Sequence, residues 1–463
     1  MAFSSPAFVF VFLPVVFLLY RLIPWHRGKN LLLLLFSLLF YSAGSLVHLP
    51  LLLGVALVNY LAGLWFRSRK NCRRLVLILT LILNLGVLAT FKYLDFFTET
   101  LNAIAGLQLP LPGLALPIGI SFFTFQGMSY AIDTYRDPDS GTRNFFEALL
   151  YLSFFPQLIA GPIVKYHDVA EQIRNRCTTP EDTALGLRRF VVGLSKKLLL
   201  ADLLALAVDK IYGQAAVTDV RLSALAMICY CLQIYFDFSG YSDMAIGMGR
   251  MFGFCFLENF NYPYCASSIR DFWRRWHISL SSWFKEYVYI PLGGNRRGQP
   301  RTCWNLLLVF FLTGLWHGAS WTFVAWGLWH GFWSVLERIT ALKKIGGKAI
   351  GHVYTLLIVA FGFALFRADD FAQALRIIGG LFTGWSLTRD GSLLMHAAMT
   401  PKVWLALAVG CFAAPGLHKP LAENLERWSG SRMMSYGICL LLFALCCLRL
   451  AAASFNPFIY FRF

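Results

Sequence analysis

The sequence predicts an all-α, multi-pass integral membrane protein. Hydrophobic residues make up 58% of its 463 residues and charged residues only 14%, whereas roughly 25% are charged in a soluble domain. Several apolar runs reach the roughly 20 residues that a helix needs to cross a bilayer. We therefore expect about 11 transmembrane helices, together with interfacial and re-entrant helices, in a single domain that covers residues 1–463.

The first spans are the plainest. Met1–Tyr20 is apolar and has no basic region before it, so it is predicted to be a first span and not a cleaved signal peptide. Asn30–Phe66 contains no charged residue apart from His48, which leaves room for two spans.

The basic residues indicate orientation. The net charge is +17, but the lysines and arginines fall in short loops between apolar runs, as the positive-inside rule expects. We therefore predict no nucleic-acid partner. The loops Arg27–Lys29 and Arg67–Arg74 are separated by two spans and are both assigned to the cytoplasm, which places the N-terminus in the periplasm. Two spans also separate the basic stretch Arg270–Arg301 from Lys343-Lys344.

The cysteines show no pairing pattern. None of the 11 cysteines forms a CxxC pair, so the sequence predicts neither a disulfide framework nor a metal site.

One apolar run is interrupted by helix-breaking residues. The run Phe154–Val164 carries Pro156, Gly161 and Pro162. Broken backbone at membrane depth is tolerated only where protein or a water-filled cavity covers it, so we predict a re-entrant segment here.

The stretch Asp271–Tyr289 predicts an amphipathic helix at the membrane interface. Large apolar residues recur there at helical spacing: Phe272, Trp276, Leu280, Trp283 and Tyr287. Arg274 and Arg275 fall off that stripe and are expected to face water or lipid phosphate. Pro291–Gly294 then predicts a turn.

Two histidines stand in an apolar and aromatic stretch. Between Cys303 and Glu337 the only other ionisable side chains are His317 and His330, each in a Leu-Trp-His-Gly sequence. An ionisable group in such surroundings is costly to bury and marks a functional site by default. Its ordinary pKa of about 6.5 suits an imidazole to proton transfer near neutrality. This favours an acyl-transfer or proton-handling site within the membrane.

Each histidine also has a structural interpretation. His317, beside Trp316 in a tight and dry setting, is interpreted as a general base, and the alternative is a hydrogen bond that ties two helices together. For His330 the structural role is preferred. His277, in Arg-Arg-Trp-His-Ile-Ser, either shares a helix face with Trp273 toward a common cavity or lies at headgroup level.

Two carboxylates interrupt the apolar stretch Gln233–Gly247. Asp237 and Asp243 stand at helical spacing from Tyr241 and Ser239, although Gly240 is a candidate interruption of the helix. Buried carboxylates are expensive unless they are paired. They therefore either line a substrate path or form an internal lock, and we favour a lock with arginines of the 270–301 region.

Arg296 and Arg297 precede the histidine-containing stretch. Arginines suit the phosphates of an anionic molecule such as coenzyme A. The more usual reason for such a pair is a cytoplasmic anchor, and both interpretations stay open.

These segments resemble the membrane-bound O-acyltransferase family, and within it the bacterial alginate O-acetylase branch. The resemblance rests on Gln233–Gly247, Arg270–Ser281, Tyr289–Asn295 and Leu315–Ala319. It extends over essentially the whole chain through four further motifs: Phe3–Pro6, Phe155–Pro162 within the broken run, Phe366–Asp369 and Asn456–Phe463.

The resemblance implies a multi-helix body around a central tunnel, with His317 as the family's active-site histidine and His277 as its second histidine. It implies an enzyme without a permanently bound cofactor that takes an acetyl group from a cytoplasmic donor, acetyl-CoA, and passes it across the bacterial inner membrane. A periplasmic polysaccharide acetyltransferase partner, within a polysaccharide export complex, would then modify an exported polymer such as alginate.

Three alternatives stay open at this stage. The chain is short for an alginate acetylase and is also similar to proteins that acetylate bacterial cellulose, so the polymer is not fixed. A transporter accommodates apolar spans and buried Asp and His equally well. A scaffold subunit that docks a periplasmic enzyme would tolerate substitution of its histidines.

Overall fold

The computed structural model describes residues 2–69, 71–159, 161–214, 219–340, 348–417 and 431–452. Regular secondary structure in these ranges is helical and includes no strand, which confirms the all-α prediction. The Lys343-Lys344 loop and the motif Asn456–Phe463 lie outside the described residues.

Ten α-helices precede residue 213 among the described residues. They are α1 Leu13–Leu22, α2 His26–Ser45, α3 Leu49–Ser68, α4 Arg73–Ala105, α5 Ile120–Arg136, α6 Phe145–Ser153, α7 Phe155–Leu158, α8 Tyr166–Arg174, α9 Pro180–Ser195 and α10 Asp202–Tyr212. A π-helical turn, Phe8–Phe12, precedes α1, and another, Lys196–Ala201, joins α9 to α10. A 3₁₀ turn, Leu46–His48, joins α2 to α3.

Ten more α-helices follow in the described part of the chain. They are α11 Val220–Met251, α12 Ile269–Arg275, α13 Ile278–Phe284, α14 Gly298–His317, α15 Trp321–Ile339, α16 Lys348–Arg367, α17 Phe371–Thr383, α18 Arg389–Ala398, α19 Pro401–Ala413 and α20 Ser431–Ala452. A 3₁₀ turn, Pro263–Cys265, precedes α12, and a π-helical turn, Lys285–Tyr289, follows α13.

The helices group into two compact units. The first unit is Met1–Phe190 with Ser242–Glu258, and the second is Val191–Tyr241 with Asn259–Phe463. The single domain expected from the sequence stays a prediction beside this grouping.

Several described helices are suited to a membrane. Five stretches are long and apolar enough to cross one: His26–Ser68, Arg73–Ala105, Val220–Met251, Ala349–Arg367 and Met433–Ala452. The bent pair α18 and α19, with 75° between its helices, makes a sixth if it counts as one span. The total of about 11 spans stays a prediction.

The break predicted near Pro156 is present in the first unit. Helix α6 ends at Ser153, α7 lasts only from Phe155 to Leu158, and α8 does not begin until Tyr166. The Phe155 backbone N–H donates to Ser37 Oγ at 3.1 Å, and the side chains of α7 are buried. Protein therefore covers this irregular backbone, as its polar groups require.

The predicted interfacial helix is in fact two short helices. Helix α12 ends at Arg275 and α13 begins at Ile278, because the backbone of His277 between them has φ +44°. The apolar stripe of the prediction is buried on both sides of the break, at Trp276 and at Trp283. The single continuous helix, and the face that His277 was expected to share with Trp273, were wrong.

Helix α11 is continuous through Gly240, so the suspected interruption is absent. The glycine instead permits close packing within the second unit. A Cβ built on Gly240 would lie 2.7 Å from the carbonyl oxygen of Gly193 and 3.2 Å from the backbone nitrogen of Lys197. A larger residue has no room there.

Helices α14 and α15 pack against each other through two glycines. A Cβ built on Gly314 would lie 2.4 Å from the carbonyl oxygen of Phe323. One built on Gly327 would lie 2.4 Å from the carbonyl oxygen of Phe310. Small residues let two helices approach closely, and this approach fixes the position of the helix that ends at His317.

We predict that Gly327→Ala lowers the thermal stability of the detergent-purified protein, because the added methyl group meets backbone that cannot move independently. The expected loss is of the size of an overpacked core, about 1–3 kcal/mol. Gly86→Ala is the matched control: nothing lies within 4 Å of its Cβ position, so it should be neutral or slightly stabilising. Equal melting temperatures for the two variants would contradict this packing.

Candidate active site

His317 is the last residue of α14. Gly318 follows with extended backbone and ends the helix, and Ser320 Oγ accepts a hydrogen bond from the Thr322 backbone N–H at 3.3 Å to begin α15. The histidine is 3% exposed. A tight turn between two packed helices therefore holds its imidazole away from solvent.

Aromatic rings surround this imidazole. The ring centroid of His317 lies 5.0 Å from Trp316, 5.0 Å from Trp326 and 5.2 Å from Phe366. All three contacts are edge-on. Such walls exclude water, which strengthens the electrostatic interactions of whatever polar group enters. Phe366 belongs to α16; the sequence analysis named it only in the motif Phe366–Asp369 and not as part of the site.

His277 lies beside His317, as predicted for the two histidines. Its side chain is 1% exposed, and its ring centroid lies 6.4 Å from that of His317 and 5.9 Å from that of Trp316. Phe238 of α11 packs edge-on against the same imidazole at 4.5 Å. The depth of His277 relative to the headgroups stays a prediction.

Asn259, which the sequence analysis missed, contacts the His277 ring. Its Oδ1 lies 3.1 Å from His277 Nδ1. The same oxygen accepts from the Ser279 backbone N–H at 3.3 Å and from Ser279 Oγ at 2.9 Å. A lone asparagine 18 residues before a histidine carries no recognisable spacing, so only the fold shows this contact.

His330 is buried in an aromatic cluster near the site. It is 0% exposed, with ring centroids 5.1 Å from Trp273 and 5.3 Å from Trp326. Trp326 thus contacts both His330 and His317. Trp276, 2% exposed, stacks on Phe272 at 5.5 Å. Both ring nitrogens of His330 are buried without a hydrogen-bond partner among the described residues. The structural role of His330 and the supporting role of Trp276 stay predictions.

Asp237 is locked, but by a lysine and not by an arginine of the 270–301 region. Lys197 Nζ lies 2.7 Å from Asp237 Oδ1 and 2.9 Å from Asp202 Oδ1. The side chains of Lys197 and Asp237 are each 3% exposed. The favoured internal lock is thus correct in kind and wrong in partner. Lys197 lies on a π-helical turn, a feature frequent at functional sites.

Asp243 belongs to a separate ion pair in the first unit. Arg189 places Nε 3.0 Å and Nη2 2.9 Å from Asp243 Oδ1, and it also pairs with Glu258. The predicted partner for this carboxylate, an arginine of residues 270–301, was again wrong. Long-range pairing between helices cannot be deduced from a surplus of nearby basic residues.

The remaining predicted residues divide by exposure. Ser239 and Tyr241 are buried on α11 within two and four residues of Asp237. Arg296 and Arg297 are exposed in the turn before α14. Exposure at this turn is compatible with both interpretations of the two arginines.

The arrangement brings two imidazoles within reach of one small reacting group. A neutral imidazole offers one N–H donor and one lone pair. A hydroxyl that enters between the rings can lose its proton to a lone pair, while a carbonyl can accept from an N–H. A proton acceptor and a hydrogen-bond donor of this kind are the groups that acyl transfer requires.

Comparison with known proteins decides the family. Residues 112–341 match the membrane-bound O-acyltransferase family. The probable alginate O-acetylase AlgI of Pseudomonas putida is 40% identical to this chain, with 100% of both chains covered. The AlgI of Pseudomonas aeruginosa is 43% identical over 84% of this chain and 76% of its own length.

This chain belongs to the membrane-bound O-acyltransferase family. The matched region contains both His277 and His317. The chain is therefore an acyltransferase and a multi-pass membrane protein, as predicted. The peptidoglycan O-acetyltransferase of Helicobacter pylori is 36% identical over 100% of this chain and 97% of its own length. Proteins similar to this one thus carry names with different polymers.

We predict that Lys197→Met strongly destabilises the protein, because it leaves Asp237 and Asp202 buried without their cation. Removal of one partner from a buried pair costs about 3–5 kcal/mol. Lys402→Met, at an exposed position at the start of α19, is the matched control and should melt like the wild type.

A further variant separates charge from packing. In Lys197→Met/Asp237→Asn/Asp202→Asn the carboxylates are neutral, so much of the lost stability should return. A triple variant that melts no higher than Lys197→Met would contradict the ion-pair account. The measurement is the melting temperature of detergent-solubilised protein.

Proposed function

We propose that the enzyme is an inner-membrane O-acetyltransferase that serves an exported polysaccharide. In this proposal it takes acetyl groups from acetyl-CoA on the cytoplasmic side and moves them across the membrane. A periplasmic acetyltransferase partner then places them on the polymer. Alginate is the first candidate polymer, because the relatives that are 40% and 43% identical are named for it.

The observation that carries the proposal is the buried pair His277 and His317. Two imidazoles 6.4 Å apart, within aromatic walls and in a family of O-acyltransferases, have no evident structural purpose that an apolar pair would not serve better. Buried ionisable groups in a membrane protein mark a functional site by default.

The chemistry balances with the groups present. The acceptor hydroxyl gives its proton to an imidazole lone pair while its oxygen attacks the thioester carbonyl and a new carbon–oxygen bond forms. Collapse of the tetrahedral intermediate breaks the carbon–sulfur bond, and the coenzyme A thiolate recovers the proton from the imidazolium. His317 acts in this scheme as general base or as the group that orients the acceptor, and His277 completes the site.

Enclosure of the donor and the acceptor in one site also contributes to the rate of acetyl transfer. A donor and an acceptor held together in a tunnel react as if at very high local concentration. Exclusion of water by the Trp316, Trp326 and Phe366 walls protects the thioester from hydrolysis. No permanently bound cofactor is needed for this reaction, since acetyl-CoA is consumed as a substrate.

We predict that His317→Ala and His277→Ala each reduce polymer O-acetylation by at least about 100-fold, the lower range for loss of a general acid–base group. The assay supplies [¹⁴C]acetyl-CoA to inverted membrane vesicles from polymer-producing cells and counts label in precipitated polymer. Because only the cytoplasmic face is accessible, the same assay tests the side from which the donor enters.

Membrane abundance of each variant is measured in parallel. His396→Ala is the matched control, since this histidine is exposed on α18, and it should retain wild-type transfer. Normal labelling by an abundant His317→Ala protein would remove that histidine from the mechanism and favour a transporter or a scaffold. Label that enters only right-side-out vesicles would contradict a cytoplasmic donor.

A further inference from the structure

His277 is held in a left-handed backbone conformation that residues other than glycine rarely adopt. Its φ is +44°, and such strain persists only where surrounding contacts impose it. Two backbone hydrogen bonds do so. The Asn261 N–H donates to the Arg275 carbonyl at 2.9 Å, and the Ile278 N–H donates to the Asn259 carbonyl at 3.0 Å. The segment Asn259–Asn261 therefore forms hydrogen bonds on both sides of the helix break at which His277 lies.

The tautomer of His277 follows from one atom. The Ser279 backbone N–H is always a donor, so the Asn259 side-chain atom that faces it at 3.3 Å must be the carbonyl oxygen and not the amide nitrogen. The same oxygen lies 3.1 Å from His277 Nδ1. Ser279 Oγ also lies near Nδ1, at 3.5 Å, but its hydroxyl donates to Asn259 Oδ1 at the shorter distance of 2.9 Å. An oxygen cannot donate, so Nδ1 carries the hydrogen and Nε2 carries the lone pair.

The Nε2 atom is the one left for chemistry. It is buried and has no hydrogen-bond partner among the residues that the structure describes. An unpaired buried acceptor costs free energy, and it gains a partner when a hydroxyl arrives. His317 is the titratable group in ring contact with His277; the other rings in contact are Phe238 and Trp316.

We propose that Asn259 is a positioning residue that fixes His277 as the Nδ1–H tautomer, so that Nε2 receives the proton of the acceptor hydroxyl during acyl transfer. This rests on the function proposed above and assigns the base within it. The proton passes from the hydroxyl oxygen to Nε2 and then to the departing thiolate, so the imidazole ends neutral. Asn259 itself exchanges no proton.

The neutral amide suits a dry site better than a carboxylate would. His277 lies between two short helices and in none of the candidate spans, and burial lowers the pKa of its imidazole below the ordinary value. An amide orients the ring without adding charge. A carboxylate at position 259 would stabilise the imidazolium and raise the pKa of His277.

The first test is Asn259→Leu, which keeps the side-chain size and removes the acceptor. We expect the maximal rate of label transfer in the vesicle assay to fall by about 10–100-fold, by analogy with the loss of groups that orient metal-binding histidines. The KM for acetyl-CoA should stay within about twofold, because orientation of the base affects the transition state and not donor binding.

The second test is Asn259→Asp, which keeps the acceptor oxygen. The maximal rate of this variant should exceed that of Asn259→Leu. Its rate should also fall at low pH where the wild-type rate does not, because a base with a raised pKa is protonated there and cannot accept the hydroxyl proton. Rates measured from pH 5.5 to pH 9 show this shift of the acidic limb. An unshifted profile would overturn the proposal.

Asn84→Leu controls for a purely structural effect. Asn84 is a buried asparagine that exchanges hydrogen bonds with Asn59 in the first unit, so its loss should lower stability and leave the pH profile unchanged. Wild-type rate and profile in an abundant Asn259→Leu protein would refute the positioning role while the proposed function stands. Full transfer by His277→Ala and His317→Ala would instead refute the function itself.

Discussion

The buried contact between Lys197 and Asp237 is the interaction on which the second unit depends. An apolar helix gains little by packing on another in lipid, so paired polar groups and close glycine contacts fix the arrangement of helices. Lys197 Nζ lies 2.7 Å from Asp237 Oδ1. Gly240, one helical turn after Asp237, packs against the backbone of Gly193 and Lys197. Phe238 is thereby held where it packs against the His277 ring.

From this anchor the site is built by backbone breaks. His277 lies at a break between α12 and α13, and His317 at the turn between α14 and α15. A ring in the middle of a helix can be presented only from its fixed face, whereas residues at a break can point inward between elements. Chemistry that must occur within a layer of helices is therefore located where the helices end.

The sequence predicted the composition of the site better than its geometry. Histidine in an apolar stretch is costly and so conspicuous, which is why His317 was identified. His277 follows two arginines, was left with a structural alternative and was then marked by the family resemblance; the two rings are found in contact. The apolar residues that recur at helical spacing across Asp271–Tyr289 are buried, as the periodicity predicted. The periodicity did not predict the break, because a positive φ at a histidine does not change the spacing of apolar residues. Asn259 and Lys197 act through contacts 18 and 40 residues away along the chain, and pairing at that range is decided by tertiary packing.

The central claim is that His277 and His317 act as one catalytic unit. The most direct test is a double-mutant cycle on label transfer from acetyl-CoA to polymer, with His277→Ala, His317→Ala and the double variant at matched abundance. Groups that act together are strongly non-additive, so the double variant should be no slower than the slower single variant, within about twofold. Losses that multiply would show two independent contributions and contradict the account.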